Sequence, residues 1–332
     1  MQLLSFKFFC LPYQQYKTKQ FFFVLIKISL VVAAIYFIYH KLSENSTLDF
    51  SHFVQILSKN DIFSLNTVIF LLFLSIFNWF FEILKWQQLI SSLQKISFKK
   101  SIEQCLGSLT VSLLTPNRIG EYGAKALYFK SAFRKRVLII NLISNLLQML
   151  VTVVFGIIGM LLLSQSQNLH INGLKFINIL LIGISFCALI IFIIRKTNIR
   201  IRGFSLEKIK LFLIKFSKKS LALGAVFSLF RYLIFSFQFY YLLLLFGVEI
   251  DYLEAMKLIT SMYFLASIIP SLFLFDVVIK GSVALYLFTL IGIDELVILS
   301  IVTCMWILNF VMPSIIGGFY VLHFKFPENK TC

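Results

Sequence analysis

The sequence predicts an all-α polytopic membrane protein, with about six full spans and two re-entrant or broken helical hairpins set as an inverted repeat. Three observations predict it. Of 332 residues, 59% are hydrophobic and 14% are charged, and several apolar runs reach the roughly 20 residues that cross a bilayer. Two further apolar regions are each interrupted by a proline, after which an acid is followed four residues later by a lysine: Pro116 with Glu121 and Lys125, and Pro270 with Asp276 and Lys280. Basic residues collect in the connections between runs, which orients the chain. Paired, interrupted segments in the two halves of a membrane protein are the best pointer in a sequence to a transport site.

Residues 1–20 read as a cytoplasmic tail carrying Lys7, Lys17 and Lys19. No small-x-small cleavage site follows, so 21–40 is read as a retained first span. A polar outer loop, 41–61, leads to a span at 62–85. The segment 85–100 carries Lys85, Lys95, Lys99 and Lys100, and the first broken region, about 102–130, is followed by Lys130, Arg134, Lys135 and Arg136. Both flanks are basic, so both are placed in the cytoplasm. Spans at 137–163 and 176–194 enclose an outer loop with Lys175 as its single basic residue. The loop 195–220 has nine basic residues and is placed inside.

A span at 221–246 then leads to the second broken region, about 254–291. Its flanks carry Glu249, Asp251 and Glu254 on one side and Asp294 and Glu295 on the other, with Lys257 the sole base, which fits the outer face. A span at 296–322 and a cytoplasmic tail at 323–332 complete one transmembrane domain, 21–322. The halves of each broken region, roughly 14–16 residues, are too short to cross. The two spans around the first hairpin mirror those around the second with opposite orientation. The breaks are tolerable in lipid only where protein or a wet cavity satisfies their backbone, so the hairpin tips are expected in the interior.

Composition also excludes. The net charge of +17 is spread over loops between spans, which argues for anionic lipid headgroups and against nucleic acid. Five isolated cysteines and four histidines in or beside loops offer neither a disulfide framework nor a metal site. No Gly-x-x-x-x-Gly-Lys run is present for a nucleotide. No catalytic set and no cofactor are expected, and oligomeric state has no signature here.

The chemistry is expected at six substrate-binding residues. Glu121 and Lys125 share a helix face and can pair. Arg118, beside the N-terminus of a helix that follows the break, makes a cradle for phosphate or carboxylate. Asp276 and Lys280 repeat the spacing in the second hairpin. Arg231 lies about 15 Å into its span, near the midplane, where it either pairs with Glu121, Asp276 or Glu82 or meets an anionic substrate. Asn78, Glu82, Asn145, Gln238 and Asn309 are supporting polar residues. Asn309, Pro313 and Gly317 read as a kinked packing helix. Arg118, Lys125, Arg231 and Lys280 outnumber Glu82, Glu121 and Asp276 by one charge, which favours an anionic guest.

Thr115-Pro-Asn-Arg-Ile-Gly-Glu121 resembles the Pro-Gly-Arg-x-Gly-Glu motif of the flippase-like membrane domain of lysylphosphatidylglycerol synthases, with Asn117 where glycine is commoner. Asn78, Glu82 and Trp86, the Arg231-Tyr232 to Gln238 span, Ile269-Pro-Ser with Asp276 and Lys280-Gly, and Trp306 to Gly317 resemble the same family, over about 60–322. The soluble aminoacyltransferase domain of the synthases has no counterpart, so the resemblance is to stand-alone members. It implies movement of an anionic phospholipid or lipid-linked headgroup between leaflets of the cytoplasmic membrane. The alternatives are a membrane-embedded sugar or acyl transferase acting on lipid, and a non-catalytic accessory subunit of a lipid pathway.

Overall fold

The structure, a computed structural model, describes residues 64–113, 115, 119–166, 200–201, 204–205, 211–268 and 276–327. Four helices among them are long and apolar enough to cross a membrane: Leu65–Ile90, Ser131–Gln165, Lys218–Leu245 and Glu295–Leu322. They coincide with the spans predicted at 62–85, 137–163, 221–246 and 296–322. The spans predicted at 21–40 and 176–194 lie outside the described residues.

In chain order the helices are α1 (Leu65–Ile90), α2 (Phe98–Ser112), α3 (Ile119–Leu127), α4 (Ser131–Ser166), α5 (Lys218–Leu245), α6 (Tyr252–Ile268), α7 (Asp276–Thr289), α8 (Glu295–Trp306), a π-helical turn (Ile307–Val311) and α9 (Met312–Leu322). A two-residue pairing of Arg200–Ile201 with Phe204–Ser205 is the sole strand pair among the described residues. Serines 64, 97 and 217 and Asp294 start α1, α2, α5 and α8 by accepting a backbone N–H of the first turn, which satisfies one of the orphan donors of a helix N-terminus.

The helices are inside out relative to those of a water-soluble protein. On α1, Leu65, Ile69, Phe73 and Ile76 are exposed while Asn78, Glu82 and Lys85 are buried. The same holds on α4, where Leu142, Leu146, Leu150 and Val154 face outward and Asn141 and Ser144 inward. An apolar exterior around a polar interior is what hydrocarbon solvent selects.

Neither broken region contains a helix long enough to span comfortably. By helical rise α2 and α3 are about 22 and 13 Å long, and α6 and α7 about 25 and 21 Å. Two apolar cores result. One joins α1 to α2, α3 and α4 through Trp86, Leu89, Leu109 and Ile140. The other joins α5 to α6, α7 and α8 through Leu242, Ile259, Phe288 and Ile301.

One charge placed by sequence in a cytoplasmic connection is corrected here. The first described span does not end at 85 but continues to Ile90, and Lys85 is fully buried. Trp86, Leu89 and Ile90 draw the last turns into the core, and Glu82, one turn earlier, supplies the counter-charge.

Candidate functional site

The first break is held by one threonine. Thr115 Oγ1 donates to the Ser112 carbonyl at 3.0 Å and accepts the Gly120 N–H at 2.8 Å, so it ties the end of α2 to the start of α3. A Cβ on Gly120 would sit 2.7 Å from that oxygen, closer than side chains tolerate, which is why glycine stands there. Leu114, Pro116, Asn117 and Arg118 lie outside the described residues, so the proposed phosphate cradle at Arg118 does as well.

α3 carries Glu121 and Lys125 inward, both buried. Lys125 Nζ donates to Glu121 Oε1 at 2.8 Å and to Asn141 Oδ1 of α4 at 2.9 Å. It also lies 4.4 Å from the centre of the Trp86 ring, a contact that favours a desolvated cation. The Trp86 indole N–H in turn donates to Gln104 of α2 at 2.7 Å. Asn145, one turn beyond Asn141, donates to the Tyr122 hydroxyl at 2.9 Å.

Arg231 sits midway along the 28-residue α5. Of the three carboxylates that sequence offered it, Glu82 of α1 is its partner. Its Nε donates to Asn78 Oδ1 at 3.0 Å, and from there a chain of amides crosses the core. Asn78 donates to Asn309 at 2.8 Å, Asn309 donates to Gln238 at 2.9 Å, and Gln238 donates to Ser75 at 2.9 Å. The four supporting residues Asn78, Glu82, Gln238 and Asn309 therefore meet around Arg231.

Asn309 lies in the π-helical turn, and the reason is local. Pro313 has no N–H to return to the carbonyl four residues before it, so the Asn309 carbonyl is released. It accepts the Trp79 indole N–H at 3.0 Å instead. π-Turns of this kind often mark functional positions.

Lys85 is the residue that sequence reasoning missed. Its Nζ lies 2.7 Å from Glu82 Oε2, yet no acceptor among the described residues is aligned to take a hydrogen bond from it. Across α1 and α5, Glu82 opposite Arg231, Leu89 against Gly224 and Ser75 opposite Gln238 fix one antiparallel register. That register sets Lys85 opposite Ser228, whose hydroxyl is also buried without a partner among the described residues. The signal was present, since Asn78, Glu82 and Lys85 recur at helical spacing on one face.

These buried charges are three cations, Lys85, Lys125 and Arg231, on two carboxylates, Glu82 and Glu121. Lys125 lies within electrostatic range of Glu82, so among the described residues they form one cluster with one more cation than carboxylate. Lys280, half-buried on α7, belongs to a different place, 5.2 Å from the ring centre of Phe310. Asp276 begins α7, and its side chain is outside what the structure describes.

The family model described as Lysylphosphatidylglycerol synthase TM region matches residues 24–317. That is nearly the whole chain, and the protein belongs to this family. It is a multi-pass membrane protein, and membership points to a lipid-related function in the membrane. A comparison with curated proteins returned no match.

Proposed function

We propose that this member of the lysylphosphatidylglycerol synthase TM family moves an anionic phospholipid, or a lipid-linked anionic headgroup, between leaflets of the cytoplasmic membrane. The observation that carries the reading is the buried cluster of three cations on two carboxylates, in which Lys85 has no aligned acceptor among the described residues. Each charge costs about 2.5–3.5 kcal/mol to place at membrane depth on insertion scales. A cluster whose described charges stop one short of neutrality is suited to a guest that brings the missing anion.

In this mechanism Arg118 and the amides at the start of α3 take the phosphate from the cytoplasmic side. Arg231, whose side chain is 18% exposed, guides it through the midplane, and Lys280 receives it towards the outer face. Glu121 or Asp276 can couple the movement to a gradient, since the sequence carries no nucleotide-binding run. Both hairpins are re-entrant in this arrangement, entering from opposite faces as an inverted repeat, with both termini in the cytoplasm.

Two experiments test it. Native mass spectrometry of gently solubilised protein should show a retained anionic lipid; zwitterionic lipid alone would contradict the reading. Arg118→Gln should abolish translocation while the protein still inserts, and Arg118→Lys should recover little, because a point charge lacks the planar fork. For the topology, single cysteines at Lys95, Lys135, Asp251 and Asp294 should label from outside at 251 and 294 and be protected at 95 and 135. Opposite accessibility of 95 and 135 would make the first broken region a full span.

A further inference from the structure

A cavity of about 30 Å³ lies among α5, α6, α7, α8 and the π-helical turn, lined by Phe235, Phe239, Tyr263, Lys280, Trp306 and Phe310 among others. That volume exceeds the roughly 10–15 Å³ that one water needs, so the space holds one or two small polar groups. Its walls are aromatic, yet two of them carry unused polar atoms. The Tyr263 hydroxyl and the Trp306 indole N–H are buried with no hydrogen-bond partner among the described residues.

Trp306 is the exception among the three tryptophans. Trp79 donates to the Asn309 carbonyl and Trp86 to Gln104. An indole N–H can only donate, an ammonium can only donate, and a phenol donates readily. The residues that carry these three donors all line the one small space, and with Lys280 supplying a positive charge they are complementary to a group that carries several lone pairs and negative charge. Against a second wall of the same hairpin, between α6 and α7, runs an open apolar groove of about 330 Å³ lined by Leu265, Ile268, Val283 and Tyr286. Its lining on α7 begins at Ser282, two residues beyond Lys280.

We propose that this cavity is an oxyanion subsite, in which the Trp306 indole N–H, the Tyr263 hydroxyl and the Lys280 ammonium receive phosphate oxygens of a lipid headgroup whose acyl chain lies in the α6–α7 groove. The proposal rests on the transport reading for the identity of the guest and not for the existence of the subsite. It adds two residues, Tyr263 and Trp306, to the site and assigns them a donor role. The aromatic walls exclude water from around the phosphate, which strengthens each contact. The groove explains why a lipid would be held better than the free ion.

The full chain labelled with 5-fluorotryptophan, in a neutral detergent, gives three fluorine resonances, one for each tryptophan. Trp306→Phe removes one and assigns it; Trp86→Phe gives an independent assignment by elimination. Titration with dihexanoyl phosphatidylglycerol should move the Trp306 resonance saturably and leave that of Trp86 in place. Lys280→Gln should weaken the apparent affinity at least tenfold and Tyr263→Phe about threefold. Dihexanoylglycerol, which lacks the phosphate, should leave the resonance unmoved.

No shift with the phospholipid, or an equal shift with dihexanoylglycerol, would overturn the subsite. Saturation by inorganic phosphate at the same concentration would overturn its lipid part and leave a free-phosphate site. Translocation measured on the same preparation separates the two ideas. A shift without lipid movement refutes the transport reading and leaves the subsite; lipid movement without a shift refutes the subsite and leaves transport.

Discussion

Two regions of the membrane domain treat buried polarity differently. Around Glu82, Arg231 and the Lys125–Glu121 pair, most charges and amides have partners, in one group that joins Glu121, Lys125 and Asn141 and another that joins Arg231, Asn78, Asn309 and Gln238. Around Lys280, an aromatic cavity keeps the Tyr263 hydroxyl and the Trp306 N–H without partners among the described residues. The first region is preorganised by the protein's own groups, and the second leaves room for an external acceptor. Substitutions in the first should therefore act on folding as well as on transport, and substitutions in the second on binding.

The largest effect is expected at Glu82. Glu82→Met leaves Lys85 and Arg231 side by side without their shared carboxylate, which should cost about 3–5 kcal/mol. Unfolding in detergent measures it, and Glu82→Met combined with Lys85→Met should recover a large part. Wild-type stability in the single variant would show that this region is not held by its own charges.

Arg231→Met should cost less, about 1.5–3 kcal/mol for the hydrogen bonds to a charged group that it removes. Lys85 remains beside Glu82, so the carboxylate is not stranded. Translocation should nevertheless be lost, and a variant both stable and active would remove Arg231 from the route.

The sharpest contrast is between two tryptophans. Trp79→Phe strands the carbonyl that Pro313 has already deprived of its helical donor, for about 1–3 kcal/mol. Trp306→Phe removes the same ring volume but deletes an N–H with no partner among the described residues, so it should cost less than Trp79→Phe by about that amount. Thermal unfolding of both variants side by side decides it. Equal losses would mean that the second cavity is as internally satisfied as the first.

Much of this was legible in the sequence, for a physical reason. Hydrocarbon demands long apolar helices, so the four described spans announced themselves by length and hydropathy. Proline marked both breaks, with glycine beside it in the first, because few other signals interrupt such runs. Glu121 and Lys125 were paired by spacing alone. Lys85 was not found, because a lysine near the end of an apolar run reads as a boundary, and only the packing of Trp86 and Leu89 shows that the helix continues inward. The choice of Glu82 as partner of Arg231 depends on which faces of α1 and α5 meet, which no local pattern fixes. Tyr263 carried no signal and Trp306 none beyond the family resemblance, since an aromatic residue in an apolar run looks the same whether its polar atom is used or left open. Thr115, which ties the first break together, looked like an ordinary residue before a proline.

Lipid movement itself separates a transport site from a purely structural cluster. Purified protein is reconstituted into vesicles containing a trace of tail-labelled phosphatidylglycerol or phosphatidylcholine, and loss of fluorescence to a membrane-impermeant quencher is followed in time. With wild-type protein the anionic lipid should translocate faster than the zwitterionic one, and Arg231→Met at equal reconstitution should lose that acceleration. Anionic translocation no faster than in protein-free vesicles, or equal acceleration of both lipids, would contradict the transport reading.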